Sequence, residues 1–330
     1  MNNNYNFPLI SVIIPVYNRE KYILQGLNSI LEEDYPNKEI VLIDDGSKDS
    51  TDAIIKNWIE EHKNQISVIY KSRENRGMVK TLNELIDRSN GKYIVFFGSD
   101  DYLKNNGISK RYEYLRTHPE KLMVVADCNL VDGDNNQTHE SALIGIGKVN
   151  KKLLLTDAGM KKFMILNGYI PGAVLMADKK VYEIMGKYDE NLHVEDWVYY
   201  IRVVAKNLLG YVDEVVSAYR LHANNISYSK KVLLNAQDGL KVALETFHEF
   251  KELKYKFFML LRILFLLIYI PYIRFKFKLL DNNKVYGKNN QKFKLLINQK
   301  ILKGCRSLKN AFNFIIYNNI FNKLNFNKDN

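Results

Sequence analysis

Two acidic pairs, far apart in the chain, carry the chemistry of this sequence: Asp100-Asp101 in the stretch YIVFFGSDDYL and Glu195-Asp196 in HVEDWVYYIRV. Tyr93 to Phe97 is an apolar run of strand length, so Asp100 and Asp101 should emerge at the carboxyl edge of a sheet, where α/β folds place ligands. Adjacent carboxylates there suit a hard divalent cation, Mn2+ or Mg2+, seated on a diphosphate; a solvated turn is the plainer alternative. Glu195-Asp196 precedes helical spacing (Trp197, Tyr200, Ile201, Val204), which presents a carboxylate at a helix start, apart from the first pair and available as a base. Asp196 equally suits a helix cap, with Glu195 as an acid favoured by the helix dipole. A metal and a base together point to group transfer from an activated phosphate ester.

Other segments add to this. In SVIIPVYNRE a strand ends in a turn, and Pro15, Tyr17 and Asn18 would set an aromatic face and an amide beside a planar base; an ordinary strand-to-helix junction reads the same way. Asp44-Asp45-Gly46-Ser47 supplies carboxylates able to accept from a base N–H or ribose hydroxyls, with Gly46 permitting a tight turn. His222 is either a metal ligand, a diphosphate contact or a plain polar group. Neither G-x-G-x-x-G after the first strand nor G-x-x-x-x-G-K-[ST] occurs, which removes support for dinucleotide cofactors and P-loop chemistry.

The elements that must position these groups alternate. Leu9 to Val16, Ile40 to Ile43, Val68 to Tyr70 and Tyr93 to Phe97 read as strands. Ile23/Leu27/Ile30/Leu31, Ile54/Ile55/Trp58/Ile59 and Val79 to Ile86 read as the helices between them. Continuous apolar strands joined by helices predict an α/β fold with a mostly parallel central sheet flanked by helices. Ser47 to Ser50 offers several N-caps for the second helix. After Val125 the alternation loosens, and Gly145 to Asp157 reads as loop. A boundary near residue 230 divides a catalytic domain, 1–230, from a helical, basic and aromatic-rich region, 231–330.

The chain has 330 residues, 46% of them hydrophobic, enough for a sizeable core. Cys128 and Cys305 cannot form a disulfide framework, and the start MNNNYNFPL lacks the pattern of a signal peptide, so a cytoplasmic location is expected. The net charge of +11 is lopsided: residues 231–330 hold 19 basic and 6 acidic residues, or +13, leaving −2 for the rest. The run Phe257 to Ile273 spans 17 residues with Arg262 inside and lysines and arginines on both flanks. A transmembrane helix needs roughly 20 apolar residues, so attachment to an anionic membrane surface is expected rather than spanning. Packing on the catalytic domain or in a homodimer is the other reading. The near-neutral body and the absence of a recognition motif speak against nucleic acid.

SVIIPVYN, LIDDGSKDST, RENRG, FFGSDDY, the IPG segment with GKYDENLHVEDW, and YRLHANNIS follow one another in an order and spacing that resembles the family 2 glycosyltransferases, inverting enzymes of the GT-A (Rossmann-like) fold, over roughly residues 8–230. The resemblance implies nucleotide-sugar contacts by Pro15, Tyr17, Asn18, Asp45, Arg76, Asp100 and Gly172, metal contacts by Asp100, Asp101 and His222, and Asp196 as base supported by Glu195. It further implies a nucleotide-sugar donor, UDP-linked as in most of the family, and a glycan or lipid-linked acceptor. Where many members read Asp-x-Asp-Asp, this chain reads Gly98-Ser99-Asp100-Asp101, without the first carboxylate. A catalytically silent nucleotide-sugar-binding or scaffold protein is the alternative that this departure motivates.

Overall fold

The computed structural model describes residues 7–222 and 232–282. Residues 223–227 of the YRLHANNIS segment, Cys305 and the chain beyond 282 lie outside the described residues. Two compact units divide the chain, Met1–Met164 with Gly168–Ala223 and Ile165–Asn167 with Asn224–Asn330.

The first unit opens with the expected alternation: β1 (Ile10–Val16), α1 (Ile23–Leu31), β2 (Lys38–Asp44), α2 (Thr51–His62), β3 (Ser67–Ser72), α3 (Met78–Arg88) and β4 (Tyr93–Phe96). It continues through β5 (Tyr102–Leu103), α4 (Gly107–Thr117), β6 (Met123–Val131), β7 (Gln137–His139), α5 (Ala142–Gly145), α6 (Asp157–Leu166), β8 (Met176–Asp178), α7 (Lys180–Met185), α8 (Asp196–Ala205) and β9 (Leu209–Arg220). The stretch read as loop, Gly145 to Asp157, contains a 3₁₀ turn at Lys151–Leu155.

One sheet runs β3-β2-β1-β4-β8-β6-β9-β5, with β7 on β6. β1 pairs in parallel with β2 and β4, and β2 with β3. β8 is antiparallel to both β4 and β6, and β9 is parallel to β6. β1 to β4, β6 and β9 therefore all point the same way, and their carboxyl ends share one edge. The sheet is mostly parallel as expected, with β8 a short strand inserted in reverse and β5 and β7 antiparallel at its far side. β1 is buried along its whole length and so is β6, as strands covered on both faces must be. Ile10, Val12 and Ile14 pack with Leu27, Ile30, Trp58 and Phe97 in the main core. Pro15, which has no N–H to give, lies past the last β1–β4 pair, Ile13–Phe96.

At the opposite, amino-terminal edge, Glu39 is a buried node. Its Oε1 accepts from Ser11 Oγ at 2.6 Å and Asn90 N at 2.7 Å, and its Oε2 from Asn90 Nδ2 at 3.1 Å. Ser11 Oγ in turn accepts from Gly91 N at 2.9 Å, so β1, β2 and the turn into β4 are tied together.

The second unit holds α9 (Val232–Thr246) and α10 (Leu253–Asn282). Ala236, Phe265, Leu266, Tyr269, Ile270 and Ile273 form their shared core. Leu260, Leu264, Leu267, Ile268 and Phe275 remain exposed along α10. The helix runs past both ends of the 17-residue apolar stretch, and Leu253–Phe275 is long and apolar enough to cross a membrane by length and composition. Half of its most apolar window is buried.

Replacing Glu39 by alanine leaves the Ser11 hydroxyl and the Asn90 N–H without their acceptor. The expected loss is about 3 kcal/mol of unfolding free energy, read from urea unfolding, with the edge that carries the site left intact.

Candidate active site

The first expected corner forms where β1, β2, β4 and β9 end. Asp45 follows β2, and its Oδ1 accepts from Arg76 N at 2.8 Å and from the Arg73 guanidinium, while its Oδ2 accepts from Gly77 N at 2.9 Å. Asp45, expected at the nucleotide, is 5% exposed, and its carboxylate clamps the 73–77 loop that launches α3. Asp44 likewise serves its own turn, accepting from Ser47 N at 2.9 Å and Ser47 Oγ at 2.6 Å. Ser47 is thereby spent on the turn, and Ser50, the N-cap residue of α2, makes no side-chain cap.

Asn18 adopts a left-handed backbone with φ of 53°. Its N–H donates to Ser47 Oγ at 2.8 Å and its Oδ1 accepts from Lys48 N at 2.8 Å, which binds the loop after β1 to the loop after β2. Tyr17, 45% exposed, presents its ring on this edge. The Arg76 side chain is exposed beside Asn75, Gly77 and Lys80 in a cavity of about 920 Å³, whose other wall carries Lys187 and Glu190.

Asp100 and Asp101 part company. Asp100 Oδ2 lies 2.9 Å from His222 Nε2, just past β9, and 3.4 Å from Arg19 Nε. Burial raises the Asp100 carboxyl's proton affinity, but the His222 hydrogen bond and the charge of Arg19 outweigh it and leave the pKa below the ordinary carboxylate value. An ionised Asp100 only accepts, so Nε2 of His222 carries the proton between them. Asp101 was expected beside the metal. It is 2% exposed, and its Oδ1 accepts from Arg220 N at 2.9 Å. Burial, with the Asp100 charge behind it, pushes its pKa well above the usual range.

Gly98 explains why Asp101 can turn inward. A Cβ there would stand 2.5 Å from Asp101 Oδ2 and 3.4 Å from Asp100 Oδ1. The volume where a first carboxylate side chain would begin is taken by Asp101 itself.

Arg220 completes the corner and was not singled out as a site residue, although it stands in the YRLH segment. Its Nε donates to Asp100 O at 2.7 Å, Nη1 to Asp132 O at 3.3 Å and Nη2 to Gln25 Oε1 at 2.7 Å. Its guanidinium lies 4.7 Å from the centre of the Tyr22 ring, and that ring stacks on His222 at 5.1 Å.

The site fits a divalent cation with two protein ligands. His222 could ligate through Nε2 only in its other tautomer, with the proton on Nδ1 and the bond to Asp100 opened, and Mg2+ is commonly held by one or two carboxylates plus substrate phosphates. Among the described residues no group of three or more His, Cys, Asp or Glu forms a fuller site, so phosphate and water would complete the shell.

The second corner rests on different elements. Glu195 is the N-cap residue of α8 without a side-chain cap, and Asp196 opens the helix, its Oδ1 accepting from Trp197 N at 2.5 Å. Trp197 Nε1 donates to Met164 O at 2.8 Å. Gly168, with φ of +63°, passes so close to the Trp197 ring that any Cβ would overlap it. Tyr199 Oη donates to Gly186 O at 3.0 Å, and Asn83 of α3 brackets Tyr188 through bonds of 2.9 and 3.0 Å. Gly172 begins a 3₁₀ turn, Gly172–Val174, which leads into β8.

Comparison with known proteins gives one consistent result. The model of Glycosyl transferase family 2 matches residues 11–183. An uncharacterized glycosyltransferase of Rickettsia prowazekii is 27% identical over 225 residues, 68% of this chain and 67% of that protein. A Bacillus subtilis glycosyltransferase, TuaG, named for teichuronic acid biosynthesis, is 35% identical over 108 residues, 33% of this chain and 42% of its own length. Among solved structures, Staphylococcus aureus TarS 1–349 with UDP-GlcNAc superposes with a TM-score of 0.61 at 20% identity, covering 78% of this chain and 72% of that one. The mannosyltransferase PcManGT of Pyrobaculum calidifontis, with GDP-Man and Mn2+, gives 0.62 at 17% identity, covering 96% and 88%. The fold is GT-A-like.

Gly98→Ala should lower the melting temperature, because the added methyl meets a carboxylate that Arg220 N holds in place; the expected cost is about 1–3 kcal/mol. Gly133→Ala, whose Cβ would find Tyr22 Oη at 3.7 Å, is the neutral comparison.

Proposed function

Because this chain belongs to glycosyl transferase family 2 and is a glycosyltransferase, we propose that it moves a sugar from a UDP-sugar to a hydroxyl of a glycan or lipid-linked acceptor, inverting the anomeric carbon. The observation that carries the reading is the Asp100–His222 pair, 2.9 Å apart on the edge where the parallel strands end. Asp100 and His222 would hold a divalent cation, which supplies Lewis-acid neutralisation of charge on a departing diphosphate. Tyr17, with Pro15 and Asn18 behind it, would receive the base, and Arg76 and Gly172 would border the donor. Asp45 acts one step back, by fixing the loop that carries Arg76. TarS with UDP-GlcNAc supports a UDP donor.

Asp196, with Glu195 beside it, takes the proton from the acceptor hydroxyl as its oxygen bonds to the anomeric carbon. The bond from that carbon to the diphosphate breaks on the opposite side, and its electron pair leaves with the nucleoside diphosphate. Attack from the far side inverts the configuration. Keeping the base on α8, away from the acidic turn, suits it to approach the acceptor rather than the leaving group.

TuaG supports assembly of a bacterial surface polymer as the setting. The exposed apolar residues of α10 and the +13 balance of residues 231–330 favour a protein resting on the anionic cytoplasmic face of a membrane, near such an acceptor.

A panel of UDP-sugars with Mn2+ or Mg2+ should give UDP release from one donor once an acceptor is present, suppressed by EDTA. Asp196→Asn should cut turnover by at least about 100-fold while UDP binding, followed by calorimetry, stays unchanged. Undiminished turnover in Asp196→Asn would remove it as the base, and no UDP binding by the wild type would sink the donor assignment.

A further inference from the structure

Arg19, just past β1, has no part in the reaction as described so far. Its backbone N–H donates to Thr51 Oγ1 at 2.8 Å, and its Nη1 folds back onto the carbonyls of Tyr17 at 3.1 Å and Asn18 at 3.0 Å. The side chain is 16% exposed, and Nε lies 3.4 Å from Asp100 Oδ2. That Nε–H is buried without a hydrogen-bond acceptor, and Nη2 makes no protein hydrogen bond among the described residues. A buried N–H left unmade costs about 1–3 kcal/mol, a cost that a ligand oxygen would relieve.

Charge at the corner points the same way. Asp100, its side chain 14% exposed, is the less buried carboxylate of the pair, since Asp101 is turned inward onto Arg220 N beside Gly98. The Arg19 guanidinium faces that carboxylate, whereas the Arg220 guanidinium lies against the Asp100 carbonyl. Arg220 is 1% exposed, and each of its three guanidinium nitrogens already donates to the protein. Arg19 still has donors to give, and they lie against the group that would meet the diphosphate.

We propose that Arg19 grips the diphosphate of the nucleotide-sugar donor. Its Nη2, which makes no protein hydrogen bond among the described residues, donates to a phosphate oxygen and stays on it as the bond to the anomeric carbon breaks and its electron pair passes to the departing phosphate oxygen. A guanidinium holds its donors in a fixed plane, which an ammonium cannot match. This assignment rests on the donor reading above. The missing first carboxylate then acquires a meaning. With one fewer negative charge and an arginine in reach, the corner attracts a diphosphate before any divalent ion arrives, so donor affinity depends on the ion only in part.

The test uses the full chain and compares UDP with uridine by calorimetry and NMR titration, in EDTA and in Mn2+. Wild type in EDTA should hold UDP at least about tenfold tighter than uridine, and Arg19→Gln should reduce UDP affinity about tenfold while leaving uridine affinity unchanged. Arg19→Lys should keep part of the UDP preference. Uridine affinity also checks folding, because a mere brace of the 17–19 loop would weaken both ligands alike. An unchanged UDP-to-uridine ratio in Arg19→Gln, an equal loss for both ligands, or a wild type whose UDP preference vanishes in EDTA would each overturn the proposal. If UDP fails to bind even with Mn2+, the donor reading itself falls and takes the proposal with it, an outcome distinct from UDP binding that ignores Arg19.

Discussion

The clasp between the turn after β4 and the end of β9 is the contact on which the site depends. Arg220 N donates to Asp101 Oδ1 and Arg220 Nε donates to the Asp100 carbonyl, so the end of β9 holds the turn at two points. A carboxylate as deeply buried as Asp101 is tolerated only when hydrogen-bonded, and the bond from Arg220 N meets that need. Through Arg220 the clasp extends to Gln25 and Asp132, and through Tyr22 it sets the face against which His222 lies. Asp101 can point inward because Gly98 is small enough to leave it the space.

The two chemical corners are held by separate machinery. Strand ends and the loops after β1 and β2 build the corner assigned to the donor. The base candidate sits on α8, positioned by Trp197 against Met164, Tyr199 against Gly186 and Asn83 against Tyr188. Buried aromatic rings with one satisfied polar atom each suit this task, since they combine large contact area with a directional anchor. At the acidic turn the aromatic part is smaller, the Tyr22 ring lying between His222 and the Arg220 guanidinium.

Local patterns made the first half of the fold legible. The apolar runs at Leu9 to Val16 and Ile40 to Ile43 and the helical spacing from Ile23 gave elements close to their observed ends, because strands covered on both faces leave an unbroken apolar signature. β8 escaped because a strand of three residues, reversed between β4 and β6, has no period of its own. The inward turn of Asp101 and the clamp made by Asp45 were hidden for another reason. Their partners, Arg220 N and the N–H groups of Arg76 and Gly77, are 119, 31 and 32 residues away, and backbone donors leave no trace in residue type. Arg19 and Arg220 stood within motifs already noted, but nothing in their spacing says which arginine is spent on the protein.

The length of chain between the halves of the clasp governs when the site can exist. Arg220 lies 119 and 120 residues beyond the groups it holds, and His222 lies 122 beyond Asp100. Closing a loop of that size costs about 4 kcal/mol of chain entropy, which the pairing of β9 with β6 and β5 helps offset. The β1 to β4 layer lies wholly before Phe97 in the chain, whereas its acidic turn is clasped only once β9 is in place, so the joint between Asp100, Asp101 and Arg220 ties the edge of the sheet to its most distant strand.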